Sequence, residues 1–164
     1  AVYSSDLQRA HQTAMAVAQP HGLTVHALPA LRERCFGNVE GSSFIEFEQQ
    51  HPVEAEHWRK RTPHWKPPGG GESLEEVRDR IVHTVCTLAS QHTGQHIAIV
   101  VHGGVLDVLY RAATGLDLQA PRTWDLPNCA INRLLWTPQG LTLVGWGDTQ
   151  HLEGMHAAHD ISVR

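Results

Sequence analysis

His96-Ile97-Ala98-Ile99-Val100-Val101-His102-Gly103-Gly104 reads as a strand that runs without a break into a helix. The apolar run has none of the polar alternation of a strand with one wet face, so it suits a parallel strand covered on both sides. Val105 to Thr114 then continues at helical spacing until Gly115 stops it. A buried strand feeding straight into a helix is the unit from which parallel α/β sheets are built.

The same unit is legible on either side. Ala1 to Ser4 is short and β-prone. Ser5, with Gln8 three residues on, has the pattern of a capping box, and Leu7, Ala10, Ala14, Val17 and Ala18 recur at helical spacing. That helix should stop near Pro20-His21-Gly22, and Leu23 to Leu28 should form a second strand. Ser73 and Glu76 make another capping box, ahead of the apolar stripe Leu74, Val77, Ile81, Val85 and Leu88. Residues 91–95 read as a turn. Arg133 to Thr137 and Leu141 to Trp146, on either side of Pro138-Gln139-Gly140, read as a β-hairpin. The expected architecture is a three-layer α/β sandwich: a mostly parallel central sheet flanked by helices.

The chain's 164 residues suffice for one such domain. Within it, about residues 36–71 read as a helical and loop insertion, with polar helical segments near Ser43 to Gln50 and Pro52 to Arg61. A Pro- and Gly-rich loop, Thr62 to Gly71, closes the insertion. From Gln150 onward the sequence reads as weakly ordered. No internal repeat is visible.

Composition narrows the function. The chain is 41% hydrophobic and 18% charged, as expected of a globular protein. Its 13 basic against 17 acidic residues give a net charge of −4, which offers no general attraction to nucleic acid or an anionic membrane. No apolar run approaches the roughly 18 residues that span a bilayer. Cys35, Cys86 and Cys129 are odd in number, far apart and outside any C-x-x-C pattern, which argues against a disulfide framework and for a reducing, cytoplasmic setting.

Ligands of open α/β sheets bind beyond the carboxyl ends of the strands. Two such ends carry polar groups here. One is Ser4-Ser5-Asp6, followed by Arg9 on the first turns of a helix. The other is His102-Gly103-Gly104. A helix N-terminus presents free N–H groups and partial positive charge, and glycine lets an anion come close to the backbone. Arg9 adds a fork of donors suited to phosphate oxygens. A histidine at that place can donate to, or attack, a phosphoryl group. Each residue also has an ordinary explanation as a solvated or packed side chain, and none of them carries the case for phosphate chemistry singly.

Five segments, in order, resemble the motifs of the histidine phosphatase (phosphoglycerate mutase-like) superfamily. They are Ser4-Ser5-Asp6-Leu7-Gln8-Arg9-Ala10-His11-Gln12-Thr13-Ala14; Leu31-Arg32-Glu33-Arg34-Cys35-Phe36-Gly37 with Glu40-Gly41; Gly71-Glu72-Ser73 with Arg80; Val101-His102-Gly103; and Gly147-Asp148-Thr149-Gln150-His151-Leu152. The resemblance implies that Arg9 binds the transferring phosphate and that Glu33 is the general acid for the leaving oxygen. It implies that His102, with the Gly103 N–H, stabilises the phosphoryl group in the transition state. It also implies a phosphohistidine intermediate, no metal or other cofactor, and a small phosphorylated substrate. A homodimer is left open.

One family motif has no counterpart. The superfamily's nucleophile lies in Arg-His-Gly at the end of its first strand. Here His-Gly occurs only at His21-Gly22 and His102-Gly103, and neither follows arginine. His21 follows Pro20 just after a helix, where Gly22 serves as a stop. The chain also opens at Ala1, inside a strand. The expectation is therefore an N-terminal truncation: the first strand and helix, with the nucleophile, lie outside this sequence, which by itself should be inactive.

Alternatives follow from other features. A mutase of the same family is one, but the short stretch between Glu33 and Gly71-Glu72-Ser73 favours a small bacterial-type phosphatase. A non-catalytic regulator would account for the missing nucleophile, although Arg9, Glu33 and His102 are all present. His51, His57 and His64, or His151, His156 and His159 with Glu153 and Asp160, could mark a metal site, although surface histidines in a chain holding 13 of them explain the pattern. Trp58, Trp65 and Trp124 line the substrate entrance or serve packing.

Overall fold

A computed structural model describes residues 1–41 and 43–153. Strand β1 (Val2–Ser4) lies between β2 (Val25–Ala27) and β3 (Ala98–Val100), parallel to both. Ser4 is in register with Ala27 on one side and Val100 on the other, so all three strands end along one edge. A separate antiparallel hairpin joins β4 (Ile131–Thr137) to β5 (Gly140–Asp148), with a register shift near Arg133.

Helices cover both faces of the parallel sheet. Helix α1 (Gln8–Ala18) buries Ala10, Ala14 and Ala18, and its alanines pack with Val2, Val25, Ala98 and Val100. Small side chains let this helix lie close on the sheet. On the opposite face, α4 (Leu74–Gln91) and α5 (Gly103–Thr114) pack against Tyr3, Ile97, Ile99 and Val101. Alternate residues of β3 thus point into two different cores, which accounts for its continuous apolar sequence. The five stripe positions of α4 are its buried residues, and Ser73 and Glu76 form the expected capping box.

Ser5 does not cap α1. The N-cap is Leu7, without a side-chain bond, and the Ser5 hydroxyl instead accepts from the Leu7 N–H at 3.1 Å. The Ser5 N–H is held by the Val100 carbonyl at 3.1 Å, so the chain leaves β1 one turn later than the local pattern suggests. The stop near Pro20 is a 3-10 turn, Gln19–His21, ended by Gly22 at φ 62°. Between residues 36 and 71 lie a 3-10 turn (Gly37–Val39) and helices α2 (Phe44–Gln50) and α3 (Pro52–Arg59). At the other end, Gln150–Leu152 forms a 3-10 turn, ordered where weak order was expected. The rest of that expectation falls on residues 154–164, outside the described residues.

Among the described residues β3 pairs with β1 alone, and β4 with β5 alone. Between the two sheets lies an apolar cavity of about 140 Å³. Its walls include Ile97, Ile99 and Val101 on one side and Leu134, Trp136 and Leu141 on the other. Among the described residues no helix is long and apolar enough to cross a membrane.

Ile81 is 0% exposed at the centre of the α4 stripe. Ile81→Ala is expected to cost about 2–5 kcal/mol, from lost burial plus the cavity left behind. Urea unfolding checks this; a loss below about 1 kcal/mol would mean the helix is not packed as described.

Candidate active site

The common strand edge gathers the candidate residues. His102 lies two residues past the end of β3 and is the N-cap of α5; it is 7% exposed. Its side chain makes no cap bond, and its Nε2 is buried without a hydrogen-bond partner. The Ser4 hydroxyl, at the end of β1, is likewise buried and unpartnered. Arg9 stands exposed on the first turn of α1. Glu33 lies in the loop after a 3-10 turn at Pro29–Leu31. Its Oε1 accepts from the Arg34 N–H and its Oε2 from the Gly104 N–H, both at 2.9 Å. Gly103 opens α5 and is exposed.

Glu33 therefore touches the helix end that His102 caps, and the charges of Arg9 and Glu33 both act on the His102 ring. Burial, and after it the positive charge of Arg9, lower the His102 imidazole from its ordinary 6.5, against the opposing pull of Glu33. Of the four residues expected at one site, Glu33 bonds the first turn of α5 through the Gly104 N–H, Arg9 and Glu33 act electrostatically on His102, and Gly103 follows His102 at the N-terminus of that helix, where its dipole is positive.

Two residues that the sequence marked only by motif hold the loop in place. Arg80 binds Glu72 through Nε–Oε1 and Nη2–Oε2, both at 2.8 Å. Its Nη1 also donates to the carbonyls of Ala30 and Arg32, at 2.8 and 3.0 Å. Glu72 in turn accepts from the Cys35 N–H at 2.9 Å. The pair is about three-quarters buried, at 23% and 25% side-chain exposure, and it fixes the backbone on both sides of Glu33. Asp6 adds an outer tie, accepting from Arg32 Nε and Nη2 at 2.7 and 2.6 Å.

Next to Glu33, Arg34 lies over the rings of Phe36 and Trp58, 5.6 and 5.5 Å from their centroids. Burial, then the neighbouring charge of Arg61, bring its guanidinium down to about 10, with Glu72 and Glu33 opposing. Phe36, Trp58 and Trp65 form one aromatic cluster beside the acid-bearing loop. Trp124 belongs elsewhere: it is buried, 4.0 Å from Tyr110 in a stacked pair and beneath Arg111. It serves packing.

Among the described residues no group of three or more His, Cys, Asp or Glu could hold a metal ion. His156, His159 and Asp160 lie outside the described residues.

Residues 1–149 match the Histidine phosphatase superfamily (branch 1), and the chain belongs to that superfamily. A metal-independent phosphoserine phosphatase of Arabidopsis thaliana is 32% identical over 159 residues, covering 94% of this chain and 64% of its own. Phosphoglycerate mutase-like protein 4 of the same plant is 34% identical over 154 residues, covering 93% and 66%. This chain thus spans slightly less than two thirds of either curated relative. Among solved structures, Bacillus stearothermophilus YhfR superposes with a TM-score of 0.80 at 27% identity, covering 93% of this chain and 76% of that one.

The lowered pKa of His102 sets a pH dependence. The folded chain resists protonating this ring, whereas the unfolded chain protonates it near the ordinary 6.5. The associated stability is therefore present above that value and is lost as pH falls through the lower, folded pKa. His102→Gln should show a smaller drop in Tm between about pH 7.5 and 5 than the parent chain. Equal drops would mean that His102 is not the group held neutral.

Proposed function

We propose that this chain carries most of the catalytic site of a phosphomonoesterase that works through a phosphohistidine intermediate. The observation that supports this reading is that Glu33 bonds the Gly104 N–H at the start of α5 while the charges of Arg9 and Glu33 both act on the His102 ring, and we read this strand end as the phosphate site. In it, Arg9 binds the phosphate oxygens. His102, with the Gly103 N–H, stabilises the charge on the phosphoryl group as it transfers. Glu33 gives a proton to the leaving oxygen, so the alcohol departs neutral. Side chains and one backbone N–H supply these roles, and no step calls for a Lewis acid. The substrate is a small phosphate monoester.

The nucleophile, in this reading, comes from a segment of the protein that precedes the sequence given. His21 is unsuited to the role. It lies beyond the far end of α1, and at about 1.5 Å per residue the helical path puts it roughly 20 Å from Gln8, at the end of the helix away from the strand edge. The cavity between β3 and β4 supports an added strand. It is lined by apolar side chains next to both sheets and flanked by strands that, among the described residues, each have a partner on only one side. A strand there would join the two sheets and end beside His102. The matched relatives have room for it, since about a third of the length of each curated one lies outside the match.

Hydrolysis is favoured over mutase chemistry by the short connection between Glu33 and Glu72, since the resemblance implies a longer insertion after the acid loop in a mutase. A protein extended upstream to include a strand ending in Arg-His-Gly should melt at a higher temperature than the 164-residue chain. It should also hydrolyse an aryl phosphate in the presence of a strong chelator, while the shorter chain does not. Equal turnover by both would put the nucleophile within these residues. Activity lost to the chelator and restored by a divalent metal would overturn the metal-free chemistry.

A further inference from the structure

Gly103 and Gly104 are adjacent in sequence but differ in surroundings. A Cβ placed on Gly103 would meet nothing within 4 Å. One placed on Gly104 would lie 2.4 Å from Glu33 Oε1, 3.1 Å from its carboxyl carbon and 3.3 Å from Oε2. The first of these separations is shorter than any real Cβ contact, so a side chain at position 104 must displace the Glu33 carboxyl group. The helix backbone cannot yield, so the movement falls on the carboxyl end of the Glu33 side chain, which leaves the position its bonds now hold. Gly104 lies in the first turn of α5, where the Leu106 N–H already bonds the His102 carbonyl at 2.9 Å. Glu33 is held by the Arg34 N–H, in a loop anchored by Glu72 and Arg80.

We propose that Gly104 is a positioning residue for the reaction: its N–H and its missing side chain together set where the Glu33 carboxyl group meets the leaving oxygen. The proposal rests on Glu33 acting as the general acid. As the P–O bond breaks, the phosphoryl group passes to the nucleophile and the Glu33 proton passes to the departing oxygen, leaving a carboxylate. The Gly104 and Arg34 N–H groups then bond a charged acceptor, and such bonds favour the charged form. The same two donors that hold the acid in place also stabilise it once the proton has gone. When water later attacks the phosphohistidine, its proton returns to this carboxylate and the cycle closes.

The test uses the extended, active protein and four variants: Glu33→Gln, Glu33→Asp, Gly104→Ala, and Gly104→Ala combined with Glu33→Asp. Aspartate is one methylene shorter, so its carboxyl group withdraws from the space that a Cβ at position 104 needs. Each is assayed on an alkyl phosphate and on nitrophenyl phosphate, whose leaving group needs no proton. Glu33→Gln should lower turnover of the alkyl substrate by about 10²–10⁴-fold and that of nitrophenyl phosphate much less. Gly104→Ala should show the same selective loss, and adding Glu33→Asp should restore most of it. A merely structural role for Gly104 would lower both substrates together and would not respond to the aspartate.

If Glu33→Gln is selective but Gly104→Ala is not, the positioning claim is overturned and the acid assignment stands. If Glu33→Gln lowers both substrates equally, the acid assignment falls and takes the proposal with it. Should Gly104→Ala fail to fold, the double variant should still fold and turn over the alkyl substrate; its failure overturns the proposal.

Discussion

The pairing of β1 between β2 and β3 is the constraint on which the site depends. Parallel strands in this register end together, so the residues that follow each strand emerge along one edge. The turn after β1 delivers α1 and Arg9, the segment after β2 delivers Glu33, and the end of β3 delivers His102. The Leu28 N–H on the Ser4 carbonyl, at 2.8 Å, and the Ser5 N–H on the Val100 carbonyl extend the ladder one step past the strands. Three chain segments that are distant in sequence are thereby aligned by backbone bonds alone.

Strand pairing does not by itself fix a loop, and Glu33 lies on one. The Arg80 guanidinium compensates by bonding a carboxylate and two backbone carbonyls at once. A planar fork with five donors suits this task in a way that a lysine ammonium does not. The pair is partly desolvated, so removing either partner leaves the other with unmet bonds and frees the loop. The motif Gly71-Glu72-Ser73 with Arg80 therefore supports the loop that carries Glu33.

Much of this was legible locally. The stripe of α4 is a pure 3.6-residue period, and all five of its positions are buried. Ser73 with Glu76 caps as its spacing suggests. Ser5 with Gln8 has similar spacing and does not cap, because strand β3 holds the Ser5 backbone in an extended conformation and the hydroxyl turns to the Leu7 N–H. The placement of Arg9 on the first turn of α1 and of His102 and Gly103 at the start of α5 was legible because strand-to-helix junctions are a local pattern. The contact between Glu33 and Gly104 was not, since the two are 71 residues apart and no periodicity reports a missing Cβ. The Gly103-Gly104 pair was the only local trace of it. The cavity between β3 and β4 was equally hidden, because strand pairing is set by partners remote in sequence.

The central claim is that the strand edge around His102 is an oxyanion site. NMR titration of this chain with inorganic phosphate or orthovanadate tests it most directly. The account predicts that the largest shifts fall on the backbone and side-chain signals of Arg9, His102 and Gly103, with the His102 ring moving toward its protonated form as the anion arrives. Shifts confined to other histidines or to the β4–β5 hairpin, with His102 unmoved, would contradict it.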